Sequence, residues 1–346
     1  MNTRIDKEGL LSQLSVDIQK INDIRKRIGA ITPNPFIMLL IIIACIVAEV
    51  FLLKTEFINI ENFVWLVIFT VFGVFAFIES YKRKKLEPVR QMVNKLRAKM
   101  MHLINEDFDY IVDEYIKEDV FASSGLINKS GNKYSGSNLV KGKLGNTKFM
   151  MSHIKYEDEH GSGKSHHYEL IFDGFFLVAE FNKNFKGRTV VLKDIAENFF
   201  GDVIGSWLQK NNLLNDRLVK LENPVFEKKF VVYSNDQIEA RYLLSPLIME
   251  KLVDLDEKYN SISISFIDNK LFAVLPSIDE FTLEIPYEEL IEDENVWFSF
   301  QNMNNLVETI SAIINELGLN NKLWADDIIE STASVQSEDF TKEISQ

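Results

Sequence analysis

The spacing of apolar side chains along the chain changes character three times. Between residues 4 and 29, Leu11, Leu14, Ile18, Ile21 and Ile28 follow one another at intervals of 3, 4, 3 and 7, which predicts a helix with a single apolar stripe. Two unbroken apolar runs come next. Residues 36–53 read FIMLLIIIACIVAEVFLL, with Glu49 as the one charged member, and residues 63–78 read FVWLVIFTVFGVFAFI, with none. As helices they would extend roughly 27 and roughly 24 Å, close to the hydrocarbon thickness of a bilayer. Val89, Met92, Leu96, Leu103 and Tyr110 then repeat at helical spacing, with Val93 and Met100 widening the stripe.

From Val120 onward Gly and Ser become frequent, and β-branched and aromatic residues alternate with polar ones. Residues 148–156 and 168–181 read as the strands of a long hairpin, 188–192 as a third strand and 228–233 as a fourth. A helix is expected at 194–209, capped by Asp194, with Ile195, Phe199, Val203 and Trp207 on one face. A second helix is expected at 245–258, with Pro246 in its first turn. Residues 261–266 alternate Ser with apolar side chains, turn at Asp268-Asn269 and return along 271–275. A last helix at 303–317 ends at Gly318. The sum is an α+β fold: an N-terminal two-helix transmembrane hairpin with flanking amphipathic helices, then a mixed, mostly antiparallel α+β domain. No βαβ alternation is visible, so a Rossmann-type sheet is not expected.

Two apolar runs nine residues apart and without a polar face fit a membrane hairpin better than the core of a soluble protein. A signal peptide fits poorly, because the first run begins about 35 residues in and lacks a small-residue cleavage site. Trp65 and Tyr81 lie near the ends of the second run, where amphipathic rings favour the headgroup layer. Glu49 falls near the end of the first run and is expected to reach the interface as a boundary residue rather than act as a proton relay. Arg25, Lys26 and Arg27 precede the spans, Lys82, Arg83, Lys84 and Lys85 follow them, and the loop between holds one Lys against Glu56 and Glu61. The positive-inside rule then puts both termini in the cytoplasm of a cell whose inner membrane carries the hairpin.

The expected organisation is an amphipathic helix at 1–33, the hairpin at 34–80, a juxtamembrane helix at 81–118, the α+β domain at 119–322 and an acidic disordered tail at 323–346. The two amphipathic stripes would be buried most simply as an antiparallel stalk beneath the hairpin. An in-plane anchor formed by residues 4–29, or pairing of two copies, stays open.

Charge adds one exclusion. With 38 Lys and Arg against 51 Asp and Glu, the chain carries a net −13, which makes it a poor nucleic-acid binder. Residues 1–100 hold 15 basic and 9 acidic residues, whereas 101–346 hold 23 and 42, so an anionic leaflet attracts the first part and repels the second. Its single cysteine, Cys45, lies in the first apolar run, which rules out an intrachain disulfide and a multi-thiolate metal site.

Three segments look familiar as a set: FASSGLINKSGNKYSGSNLVKGKLGNTKF at 121–149, FDGFFLVAEFNKNFKGRTVVL at 172–192 and LENPVFEKKFVVYSNDQIEARYLLSPLIMEKL at 221–252. With the two preceding spans they resemble the bacterial membrane proteins grouped as domain of unknown function 3137. The resemblance runs over roughly residues 80–295 and is most specific at NDQIEARYLLSP. It implies a bacterial, membrane-embedded protein and brings no catalytic residues with it.

Three groups of residues could carry chemistry. Gly163-Lys164-Ser165 ends like a phosphate-binding loop, but the glycine required five residues earlier is Asp158, the following segment reads as a strand, and Glu157-Asp158-Glu159 would repel phosphate. The same loop gathers His153, His160, His166 and His167, whose imidazoles beside carboxylates suit zinc or nickel, although Gly161 and Gly163 leave the loop too loose for a defined site. Asp236, Glu239 and Arg241 sit where a strand gives way to a turn or short helix. They suit acid–base chemistry if burial raises one carboxyl, and otherwise a helix cap with an ion pair. Phe172, Phe175, Phe176 and Phe181 are expected in the core, and Gly174 among them marks a bulge or a close backbone approach.

The reading is a membrane-anchored binding module. It would contact lipid and a protein of unknown identity, with self-association open, no nucleic acid bound and no cofactor needed. A membrane-tethered enzyme using Asp236 and Glu239 is the alternative.

Overall fold

The structure is a computed structural model and describes residues 5–29, 33, 35–54, 60–127, 131–160, 167–181, 185–193, 216–259, 261–276 and 283–319. The helix expected at 194–209, the Gly-Lys-Ser string and the acidic tail lie outside the described residues. The chain divides into two compact units, Met1–Arg97 with Glu284–Ser299, and Ala98–Leu283 with Phe300–Gln346.

In the first unit, α1 (Lys7–Ile28) opens at Asp6, whose side chain accepts the Gly9 N–H at 2.8 Å, and ends on Arg25, Lys26 and Arg27. Its buried stripe is Leu10, Leu14, Ile18 and Ile21. Leu10 replaces Leu11 as the first member, because a four-residue step keeps it in line with Leu14 and Ile18. Segment 284–299 is fastened to this helix by side chain to backbone bonds. The Asn22 amide donates to the Ile291 carbonyl at 3.0 Å and accepts the Ile291 N–H at 2.8 Å, while Arg25 Nε donates to the Glu288 carbonyl at 2.8 Å.

Helix α2 (Pro35–Lys54) has no polar face. Helix α3 (Ile60–Ile104) is 45 residues long and continues through Pro88, so the second apolar run and the juxtamembrane stripe form one helix. Among the described residues one helix, Glu61–Ile104, is long and apolar enough to cross a membrane. The apolar parts of α2 and α3 expose bulky side chains such as Leu40, Phe51, Phe69 and Phe72. The lower stripe of α3 is buried at Leu86, Val89, Val93 and Leu96. Tyr110, read from spacing as its last member, lies instead on a strand, since α3 stops at Ile104.

Glu49 departs from expectation. It is 5% exposed, and the Thr70 hydroxyl of α3 lies 2.5 Å from its Oε1. Thr70 is near the middle of the second apolar run, so the carboxyl packs against α3.

Among the described residues the second unit is built on a nine-stranded sheet of order β1-β2-β3-β4-β9-β8-β5-β7-β6, every pair antiparallel. The strands are β1 (Phe108–Ile111), β2 (Lys133–Leu144), β3 (Thr147–His160), β4 (His167–Glu180), β5 (Arg188–Lys193), β6 (Arg217–Leu218), β7 (Phe230–Ser234), β8 (Ser263–Ile267) and β9 (Lys270–Pro276). The short helices are α4 (Glu118–Ser123), α5 (Pro224–Glu227), α6 (Gln237–Leu243) and α7 (Pro246–Tyr259), and α8 (Asp293–Glu316) enters this unit at Phe300. The predicted β3–β4 hairpin, the β8–β9 hairpin turning at Asp268 (φ 54°), and the helix end at Gly318 (φ 67°) are all present.

Period two decides the faces of the sheet. Met150 and Ile154 of β3, Phe176 and Val178 of β4, Val190 of β5 and Phe272 of β9 join Phe121 and Ile116 in one cluster. Their alternates Phe149, Met151, Phe175, Leu177 and Val191 are buried too, so the sheet centre is covered on both sides. Phe181 is also buried, and Phe172 is partly so. Gly174 is the close approach its neighbours suggested: a Cβ there would lie 2.1 Å from the Leu275 carbonyl oxygen on β9.

Candidate functional site

The stretch NDQIE, 235–239, joins β7 to α6 and carries the carboxylates that suggested chemistry. Asp236 is the N-cap of α6, and its Oδ1 accepts the N–H groups of Ile238 at 3.0 Å and Glu239 at 2.9 Å. Asp-x-x-Glu is the spacing of a capping box, in which the N3 carboxylate returns to the N-cap N–H. Here that N–H is already taken by Ser234 Oγ at 3.0 Å. Glu239 is therefore free to reach across to the chain entering β5, where it accepts the Lys186 N–H at 3.2 Å and the Gly187 N–H at 2.7 Å. Asn235 Oδ1 takes the next N–H, that of Arg188, at 2.7 Å. Three consecutive backbone donors are thus held by two side chains of one motif.

The fit leaves no room for a side chain at residue 187. A Cβ there would meet Asn235 Oδ1 at 2.7 Å, Asp236 Cβ at 2.8 Å and Glu239 Oε2 at 3.1 Å. Arg241 donates to the Gln237 carbonyl one turn back at 3.1 Å, and the ion pair expected between it and the carboxylates is not formed. The cap was legible in the sequence. The clamp on 186–188 was not, because nothing in the spacing says which distant N–H groups lie beside Glu239.

Two buried ion pairs on the same strand also escaped sequence reading. Arg188 lies against Asp216 at 3.2 Å, and burial raises the Asp216 carboxyl above its ordinary value although the guanidinium opposes the shift. Lys193 holds Asp256 of α7 at 2.5 and 2.6 Å, with Asp256 2% exposed and Lys229 at 3.7 Å. Lys229 also pairs with Glu257 at 2.7 Å, which raises the lysine and lowers the carboxyl.

The histidines do not converge. His153 on β3 lies 2.7 Å from Asp173 Oδ1 of β4 and edge-on to Phe175. His160 lies 3.0 Å from Asp158 and 4.0 Å from Glu169, with its ring 5.5 Å from that of His167. His153 and His160 are seven strand positions apart, roughly 23 Å at about 3.3 Å per step, too far to share one ion. His166 lies outside the described residues, and among those described no group of three His, Cys, Asp or Glu is placed to hold a metal. A shallow cleft of about 480 Å³ runs along α1 past Leu11, Ser15, Ile18 and Asn22, and neither Asp236 nor Glu239 borders it.

Beside the clamp, α6 exposes two bulky side chains. Ile238 is 83% exposed and Tyr242, one turn on, 60%, and α7 begins with Leu247 at 61%. Nothing in the sequence separated these from core positions, since Ile, Tyr and Leu at helical spacing ordinarily face inward.

Residues 170–319 match the model of a family described as protein of unknown function (DUF3137), the family suggested by the residues themselves. The match takes in the whole NDQIE motif, β4 from Leu170 onward and β5–β9. No curated protein matches the chain. One solved structure, the mycobacterial trehalose monomycolate transport factor A, TtfA, is similar over 62% of this chain and 94% of its own at 12% identity, with a TM-score of 0.31.

Proposed function

We propose that this chain is an integral protein of a bacterial inner membrane, held by a hairpin of α2 and α3 with both termini in the cytoplasm. Its α+β domain acts as a binding module for a protein partner. The apolar surfaces of α2 and α3 support the hairpin, as do the basic clusters on both of its cytoplasmic flanks, Arg25 to Arg27 and Lys82 to Lys85. The domain's excess of acidic residues keeps it off an anionic leaflet.

The observation that carries the binding reading is the division of labour on α6. Its carboxylates turn inward to hold backbone N–H groups, while Ile238 and Tyr242 stand in solvent. Aromatic and aliphatic side chains exposed together are the usual centre of a protein interface. The test is a photo-crosslinking residue at position 238 or 242 of the full chain in native membranes, with exposed Lys220 as control. A discrete crosslinked protein is expected from 238 and 242, and its loss from position 238 when Tyr242→Asp is added. Crosslinking no stronger than at Lys220 would overturn the reading.

A further inference from the structure

The surface around α6 differs from the rest of its domain in charge as well as in exposed apolar side chains. The Gln237 amide donates to the Arg217 and Leu218 carbonyls at 3.3 Å each. This brings β6 beside the first turn of α6 and adds exposed Leu218 to Ile238, Tyr242 and Leu247. Residues 101–346 carry 23 basic side chains against 42 acidic ones, yet residues 217–247 carry five against four. Three of those four carboxylates accept backbone N–H groups: Asp236 and Glu239 as described, and Glu227 from Leu221 at 2.8 Å, leaving Glu222. Arg217, Lys220 and Arg241 are exposed, and among the described residues no carboxylate pairs with them. Apolar side chains fringed by unpaired cations select a ligand that is itself acidic and partly apolar.

The chain contains such a segment. Residues 325–346 hold Asp326, Asp327, Glu330, Glu338, Asp339 and Glu343 against Lys342, with Ile328, Ile329, Phe340 and Ile344 interspersed. The described chain runs to Leu319, just past α8, and α8 lies beside α7, where Glu316 pairs with Lys251 at 2.8 Å. Lys251 is one turn beyond Leu247, about 6 Å along the helix. The five residues 320–324 can extend up to about 17 Å, which brings residue 325 and those after it within reach of α6 and the start of α7. A tether this short supplies a local concentration on the order of millimolar.

We propose that residues 325–346 bind the α6–α7 face of their own chain, with their carboxylates against Arg217, Lys220 and Arg241 and their apolar side chains against Ile238 and Tyr242. In this position they compete with the protein partner, which must displace them to bind. The competition, though not the internal contact, rests on the partner reading proposed above.

The test places a photo-crosslinking residue at position 238 of the full chain, purified in detergent without other proteins. Position 143 on β2, near the opposite edge of the sheet, is the control. Peptide mass spectrometry is expected to find position 238, but not 143, joined to residues 325–346 of the same chain. Arg217→Glu, Lys220→Glu and Arg241→Glu together, or about 0.5 M salt, should cut that link several-fold. In native membranes, a chain ending at residue 324 should capture its partner from position 238 several-fold more strongly than the full chain does. The proposal is overturned if position 238 gives no link to 325–346, if it links two chains or detergent instead, or if the three charge changes leave the link unchanged. Partner capture that the shortened chain does not increase would remove the competition. If the internal link is absent while partner capture persists, only this proposal fails. If the internal link forms and even the shortened chain captures no partner, the partner reading fails and the internal contact stands without a competitor.

Discussion

Gly187→Ala puts the clamp at the start of β5 to a quantitative test. The added methyl would sit 2.8 Å from Asp236 Cβ, against an ordinary contact of at least 3.4 Å, so the start of α6 must retreat by about 0.6 Å. Asp236 Cβ is anchored to backbone and cannot swing away as a long side-chain tip would. That retreat stretches the Gly187–Glu239 and Arg188–Asn235 bonds, both 2.7 Å, toward the limit of a useful hydrogen bond. Overpacking contributes about 1–3 kcal/mol and each weakened bond up to about 1 kcal/mol, so a loss of about 2–4 kcal/mol is expected. The assay is pulse proteolysis of the full chain in detergent across a urea series, with Gly73→Ala as control because nothing lies within 4 Å of its Cβ position. Glu239→Ala alone should cost about 1–3 kcal/mol. Combined with Gly187→Ala it should fall short of additivity, because both changes open the same contact. If Gly187→Ala lies within about 0.5 kcal/mol of the unmodified chain, or the pair adds in full, the clamp does not hold this junction.

Asp236→Ala should destabilise by about 1 kcal/mol and Asp236→Asn by far less, since Asn also caps, a contrast the same proteolysis resolves. Lys193→Met leaves the buried Asp256 with Lys229 alone, 3.7 Å away, and should cost up to about 3 kcal/mol, whereas Lys193→Met with Asp256→Leu should recover most of that loss, as read from urea midpoints. The Asp216 carboxyl is raised by burial, so the folded state binds its proton more tightly than the unfolded state does. Its contribution is therefore greatest below the ordinary Asp value and declines as pH rises from there through the folded value. Asp216→Asn should flatten that part of the stability–pH curve, and an unchanged slope would remove Asp216 as its source.

What could be read from the sequence was local. The β3–β4 hairpin, the β8–β9 turn at Asp268 and the end of α8 at Gly318 follow from alternation, turn chemistry and glycine at positive φ. So does the Asp236 cap, which needs only four adjacent residues. Strand β2 was missed because KYSGSNLVKGKL alternates weakly and is interrupted by a bulge between Ser137 and Val140, with Asn138 at φ 62°. The placement of Tyr110 on a helix failed because spacing alone continued the stripe past Ile104, where the chain turns into β1. Glu49 was assigned to the interface from its position along α2, but the deciding fact is the Thr70 hydroxyl on another helix. The same holds for Glu239 with Gly187 and for Lys193 with Asp256: each partner lies more than fifty residues away, and no periodicity encodes the pairing.

Where the two chain ends lie relative to the bilayer tests the membrane reading most directly. A fluorescent protein that matures only in the cytoplasm and a phosphatase active only outside it can be fused in turn to each end of the full chain. Two crossings by α2 and α3 predict fluorescence without phosphatase activity at both ends. Opposite outcomes at the two ends would mean that α3 crosses alone, and phosphatase activity at the C-terminus would remove the α+β domain from the cytoplasm.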